Sequence, residues 1–293
     1  WAFAADSYRA KGGPVGVNNG NNRKNPLYNA FIDAGKQAGY HSTEDYNGER
    51  QEGFGPMHMN VKNGRRQSTA NAYLKPAMKR PNLTVETHAL TRRILLEGKK
   101  ATGVEYEHKN VVKQVMAKRD VIVSAGPIGS PQLLQVSGIG PTEVLEKAGV
   151  EVKHELPGVG KNLQDHIDLV HSYKCSEKRE TFGISLQMAS EMTKALPLWH
   201  KERRGKMSSN FAEGIGFLCS EDHIAVPDLE FVFVVAVVDD HARKIHTSHG
   251  FTSHVTLLRP RSIGTVTLNS SDPYDPPKID PAFFSHPEDM DVM

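Results

Sequence analysis

The chain reads as an α/β plus α+β protein, and three observations predict it. A strand-like run, Val121-Ile122-Val123-Ser124, meets a turn of small residues and then a helix-forming stretch. Ahead of it lie strand-like runs punctuated by glycines, over residues 83–87, 93–96 and 101–106. Past residue 165, helical stretches precede alternating strands without a repeated βαβ beat, which fits an antiparallel sheet backed by helices.

Taken in order, residues 11–26 are rich in Gly and Asn and lack apolar periodicity, so they predict a surface loop. Residues 28–38 predict a helix stopped by Gly39. Thr69 to Met78 predicts a second helix, which Pro76 bends or ends. Three strands follow at 83–87, 93–96 and 101–106, with Val121-Ile122-Val123 as the fourth, and together they predict a sheet layer with a β-meander. After Ala125 and Gly126, Ser130 has the chemistry of an N-cap and Pro131 that of a first helical residue, while Gly138 stops the helix. Small residues at a strand's carboxyl end let backbone amides approach a ligand, and a helix N-terminus offers unpaired N–H groups. Residues 141–148 predict a short helix ending at Gly149, and Val150-Glu151-Val152 a returning strand. In the second half a helix over 186–199 precedes strands at 229–238, 252–258 and 265–268, and a fresh helix starts after Pro287. The expected division is 1–61 as a lead segment with loop and helix, 62–163 as the first domain portion, and 164–293 as the second.

Composition is that of a globular chain, with 38% hydrophobic and 24% charged residues. Lys+Arg number 36 against 34 Asp+Glu and are scattered rather than striped, which argues against nucleic acid as a partner. Cys175 and Cys219 are too few for a disulfide framework and lack metal-ligand spacing, so a reducing compartment is the default. The longest apolar run, Phe231 to Val238, is far short of the ~20 residues a membrane span needs, so no transmembrane segment is expected. There is no G-x-S-x-G, H-E-x-x-H, C-x-x-C or phosphate-loop motif, which disfavours hydrolases of those types.

Fourteen histidines include two clusters that resemble ligand sets. Asp165-His166-Ile167-Asp168 with His171 puts His166 and Asp168 on one face of a strand; Asp239-Asp240-His241 with His246, His249 and His254 sits in an apparent loop. Neither has the convergent spacing of a closed site, and no metal is expected. Glu230 opens the apolar run, either steering a cationic alcohol or simply facing solvent, and no aromatic cage for a trimethylammonium group is visible.

The stretch Ala125-Gly126-Pro127-Ile128-Gly129-Ser130-Pro131-Gln132-Leu133-Leu134 through Ser137-Gly138-Ile139-Gly140 resembles the second signature of the glucose-methanol-choline family of FAD-dependent oxidoreductases. The likeness continues through Leu156-Pro157-Gly158-Val159-Gly160-Lys161-Asn162-Leu163-Gln164-Asp165-His166. Upstream it takes in Gly64-Arg65-Arg66-Gln67-Ser68-Thr69-Ala70 and Arg80-Pro81-Asn82-Leu83, and downstream Gly264-Thr265-Val266-Thr267-Leu268, Asp272-Pro273 and Pro277 to Pro281. It covers nearly the whole chain, and choline dehydrogenases and aliphatic alcohol dehydrogenases are the members most similar in look.

The resemblance implies part of an FAD-binding, Rossmann-like domain with a β-meander, joined to an antiparallel-sheet substrate domain backed by helices. It implies FAD as cofactor, contacted by Thr91 through a backbone group at the adenine and by Ser124, Ala125, Gly126 and Ser130. It implies hydride transfer from the CH–OH group of a primary alcohol, choline or aliphatic, with the balance slightly toward an uncharged alcohol. Asp165 and His166 are expected to order the backbone between the two portions. The G-x-G-x-x-G fingerprint and the family's catalytic His are absent from these 293 residues, so no catalytic residue is assigned and an internal fragment, colourless on its own, is the expectation. A non-enzymatic split or decayed binding module and a flavin-dependent lyase stand as alternatives. The electron acceptor is open, and the expected location is the cytoplasm, with a peripheral position on the inner membrane as its variant.

Overall fold

The computed structural model describes residues 6–20, 25–176, 178, 180–239, 243–244 and 246–293. In chain order its elements are α1 (Pro26–Gln37), β1 (Gly53–Pro56), β2 (Val61–Lys62), β3 (Arg65–Arg66), a π-turn (Ala70–Leu74) running into α2 (Lys75–Ala77), β4 (Ala89–Glu97), β5 (Lys100–His108) and β6 (Val111–Met116). Then come α3 (Gly126–Val136), β7 (Ile139–Gly140), α4 (Thr142–Lys147), β8 (His154–Glu155), β9 (Ile167–Lys174), α5 (Leu186–Glu202), a 3-10 turn (Lys206–Ser208), β10 (Gly214–Leu218), β11 (Leu229–Val234), β12 (Gly250–Leu257), β13 (Thr265–Thr267), β14 (Lys278–Asp280) and α6 (Pro287–Val292). Contacts divide the chain into two compact units, 1–83 with 166–259 and 292–293, and 84–165 with 260–291. The expected division into three consecutive stretches differs from this. Residues 260–291 pack with the earlier stretch because β13 bonds back to the loop before residue 166, through Val266 N–H to Gly160 O and Gly264 with Leu163.

The first unit is built on a five-stranded antiparallel sheet in the order β1-β10-β11-β12-β9. The period-2 rule sends Phe231 and Phe233 of β11 to the face that α1 covers. Phe31 of α1 stacks on Phe233 at 5.2 Å and meets Phe54 of β1 edge-on at 5.2 Å. Phe54 fits only because Gly35 and Gly216 flank it; a Cβ at either would lie 2.5 or 2.7 Å from the ring. Asn25 caps α1 by accepting from Leu27 N–H, and Pro26 fills the first helical position, where a missing N–H costs nothing. Tyr28 is buried in this core; burial first, then the negative charge of Glu213, pushes its phenol far up.

The second unit holds the antiparallel meander β4-β5-β6, the helix α3, the parallel pair β7-β8 and the pair β13-β14. α3 is fastened to β4 by Ser137, whose Oγ accepts from Ile94 N–H at 2.8 Å and donates to Leu133 O at 2.6 Å. Fully buried Gln135 donates to Val266 O at 2.9 Å. In α6, buried Asp289 accepts from Arg261 and Ser262 N–H at 2.7 and 2.9 Å; burial pushes its carboxyl up, but these bonds and that of the Ser262 hydroxyl outweigh it and hold the carboxyl below its usual range.

Several sequence expectations shift by a few residues, each for a reason of pairing. Residues 83–87 and 121–123 are unpaired among the described residues rather than strands, since propensity alone supplies no hydrogen-bonding neighbour. The third strand of the meander is β6, which follows a two-residue turn at Lys109 and Asn110, both at positive φ. β6 is exposed along its whole length, so it carries no alternation for a pattern to find. The returning strand lies at 154–155 rather than 150–152, where His154 N–H bonds Gly138 O and the chain pairs with β7.

Candidate functional site

The paired strands β4, β5 and β6 form one wall, and the run 120–125 with the first turns of α3 lines a cavity of about 690 Å³ beside it. That volume lies in the range of small-molecule sites. Apolar side chains from both sides dominate it, among them Val104, Val115, Leu133 and Val136, and Asp120, Ser124 and Gln132 bring polar groups to it.

Three of the five expected site residues, Thr91, Ser124 and Ala125, line this one cavity although 33 residues separate the first from the second. Thr91 sits on β4 just ahead of a register irregularity that leaves Arg92 out of the ladder. Gly126 and Ser130 are not among the lining residues; they form the turn that starts α3. The expectation that Ser130 caps the helix is corrected here. The helix begins at Gly126 with Ala125 in the cap position, and Ser130 lies inside it, its Oγ accepting from Ala125 N–H at 3.0 Å. Gly126 takes φ +82°, open to glycine at no steric cost, and Pro127 locks the first turn, so the helix starts at Gly126 rather than at Pro131. Pro131 therefore stands in the helix interior rather than at its start.

Pattern reading missed Val115 and Met116, two residues of β6 that line the cavity. The Lys109-Asn110 turn was the available signal. Nearby, Arg93 pairs with Glu105 at 3.3 Å, Arg92 lies 5.9 Å from the Tyr274 ring centre, and the Tyr274 hydroxyl bonds Glu107, bracing β4, β5 and the 272–275 turn.

In the other unit the histidine clusters disperse. Asp168 on β9 accepts from Thr256 Oγ1 at 3.1 Å and pairs with His254 Nδ1 at 2.8 Å, so it meets a residue of the second cluster rather than His171, which faces the other side of the strand. His246 pairs with Asp239 at 3.0 Å, and His249 is buried elsewhere, against Thr181 and Ser185. Asp240 and His241 lie outside the described residues. Among the described residues no three His, Cys, Asp or Glu side chains gather to hold a metal. Glu230 is half-buried; burial, and less strongly Asp168, push its carboxyl up against the opposing pull of His166 and His254.

The family model described as GMC oxidoreductase matches residues 2–168, more than half of the chain, and a second GMC model matches 260–293. The chain belongs to the GMC oxidoreductase family. Curated GMC relatives include the oxygen-dependent choline dehydrogenase of Photobacterium profundum, 45% identical over 99% of this chain, and that of Vibrio vulnificus, 46% identical over 95%. The chain spans about half the length of these relatives, 51% and 50%. Among solved structures, pyridoxine 4-oxidase from Mesorbium loti superposes with a TM-score of 0.77 at 26% identity, over 96% of this chain and 51% of that one. An FAD-dependent oxidoreductase from Chaetomium thermophilum gives 0.77 at 23%, over 98% of this chain and 56% of its own, a likeness of fold.

Proposed function

We propose that the protein carrying this chain is an FAD-dependent oxidoreductase acting on the CH–OH group of a primary alcohol, with choline the first substrate to test. The observation that carries this reading is the convergence of Thr91, Ser124 and Ala125 on one cavity of about 690 Å³. Its apolar walls and few polar groups fit the flat, hydrogen-bonding end of a dinucleotide. Thr91 would meet the cofactor through its backbone, Ser124 and Ala125 through the exposed run before α3, and Gly126 and Ser130 would hold that run in shape. When bound, the flavin supplies acceptance of a hydride from the alcohol's α-carbon, which side chains cannot do. Choline is favoured over an uncharged alcohol by the names of the relatives at 40–46% identity.

The test is spectroscopic. The whole protein that carries this chain, once purified, should show a flavin absorbance band that bleaches on anaerobic addition of choline. Absence of bound flavin, or a band unmoved by choline and by aliphatic primary alcohols alike, would overturn the proposal. For location we propose the cytoplasm, with a peripheral position on the inner membrane as its variant, so that the protein is found in the soluble fraction of lysed cells or is released from washed membranes by alkaline carbonate. Retention after carbonate would contradict it.

A further inference from the structure

Away from that cavity, in the sheet-based unit, Ser185 Oγ lies 2.8 Å from Nε2 of His249, at the wall of a separate cavity of about 380 Å³. The other ring nitrogen, Nδ1, lies 3.0 Å from the carbonyl oxygen of Thr181 and 3.2 Å from the Oγ1 of the same residue. The carbonyl, the nearer of the two, only accepts, and the hydroxyl can accept as well as donate, so the proton is assigned to Nδ1 and Nε2 is left as an acceptor facing the serine hydroxyl. Nucleophile, base and a third group orienting the base are thus joined by consecutive contacts, the relation by which a catalytic triad is recognised irrespective of chain order. The dyad sits in a hydrogen-bonded frame. His249 is buried, its own carbonyl accepts from Cys175 N–H at 2.9 Å, and Ile184 N–H donates to Thr247 O at 3.0 Å.

We propose that Ser185 and His249 form a second, redox-independent acyl-transfer site, taking small esters whose acyl part carries a negative charge. Ser185 Oγ attacks the ester carbonyl carbon as His249 Nε2 takes its proton, with Thr181 O stabilising the imidazolium. The bond to the leaving alcohol oxygen breaks and His249 returns the proton to that oxygen. Water then repeats the sequence on the acyl-serine and releases the acid, so the net reaction is hydrolysis. Ser185 is also the N-cap of α5, a helix of 17 residues, accepting from Met188 N–H at 3.1 Å. The first turn therefore leaves the Leu186 and Gln187 N–H groups without intrahelical partners, next to the nucleophile, as donors for the developing oxyanion. Lys174 and Lys178 line the same cavity and supply the charge that selects an anionic acyl group. Capping requires only an oxygen acceptor; a buried imidazole aligned on that oxygen is what capping leaves unexplained.

The test treats the purified protein with a fluorophosphonate probe and maps the adduct by peptide mass spectrometry, alongside hydrolysis of p-nitrophenyl succinate and p-nitrophenyl acetate. The expected results are an adduct on Ser185, faster turnover of the succinate ester, and a loss of ~10²-fold or more in Ser185→Asn, a variant that keeps a capping oxygen but has no hydroxyl. An adduct only on another residue or none at all, or Ser185→Asn hydrolysing as fast as the parent, would overturn the site. Equal rates for the two esters would overturn the proposed substrate class. The adduct on the unaltered protein is read without any variant having to fold.

Discussion

At the scale of single residues, two kinds of position decide the outcome: those where backbone comes too close for a side chain, and those where a charge is forced out of water. Gly160 is the first kind. It stands at φ +80°, and an added Cβ would meet Val266 O at 2.1 Å and Gln135 Nε2 at 2.4 Å. Gly160→Ala is expected to destabilise its unit by about 2–4 kcal/mol, read from the midpoint of urea unfolding, because neither the backbone carbonyl nor the buried amide can yield cheaply. Glu230 is the second kind. A carboxyl whose folded pKa lies above its unfolded one contributes stability at low pH that is lost as pH rises through the folded value. Glu230→Gln should therefore melt at a higher temperature than the parent at neutral pH, with the difference vanishing below about pH 4, where both states of the parent are protonated. His166, Asp168 and His254 all act on this carboxyl, so a difference that persisted unchanged into acid would show that packing, not charge, is at work.

At the scale of elements, caps and turns place the chain more than hydrophobic pattern does. Asn25 accepts from Leu27 N–H at 3.0 Å and donates to Glu180 O at 2.7 Å, so one side chain both starts α1 and ties it to a segment 155 residues away. Asn25→Ala is expected to cost about 1–2 kcal/mol, measured by thermal unfolding, and Asn25→Asp to recover only the capping part. The strand β6 shows the other side of this rule. Its residues are exposed, yet Val115 and Met116 form a wall of the cavity. Val115→Trp, on a residue already half open to solvent, should leave the meander folded and lower flavin retention by ~10-fold or more in dialysis, through loss of cavity volume. Thr91→Val should change retention little, since the contact assigned to that residue is a backbone one. Helix α3 was legible in kind but not in phase: Ser130-Pro131 offers a side-chain cap and a first-turn proline, whereas the helix starts at Gly126-Pro127 with no side-chain cap hydrogen bond, at a positive φ that glycine takes cheaply.

At the scale of the whole molecule, each unit has its own buried centre. Tyr28, Phe233 and Val235 anchor one; Ile94, Leu145 and Val266 are buried in the other. Hydrogen exchange should therefore report Asn25→Ala as loss of protection within 1–83 and 166–259, and Gly160→Ala as loss within 84–165 and 260–291. Uniform loss across the chain from either variant would mean that the two cores open as one. A unit assembled from stretches separated by residues 166–259 cannot be found by scanning for linkers, which is why the expected boundary at 163/164 said nothing of the return of 260–291 to the earlier stretch.

The sequence by itself determined the class of elements and the helix stops, because these depend on local chemistry: turn glycines, caps and alternation; its short ordered motifs carried the family resemblance, and that resemblance implied Thr91, Ser124 and Ala125 as candidates. Tertiary structure alone decided which extended runs became strands, which stretches share a core, that those three residues line one cavity, and that Ser185 faces His249 across 64 residues. Each of these is a relation between distant segments. Pairing and burial are free energies of contact, and contact is not written in any one stretch of chain.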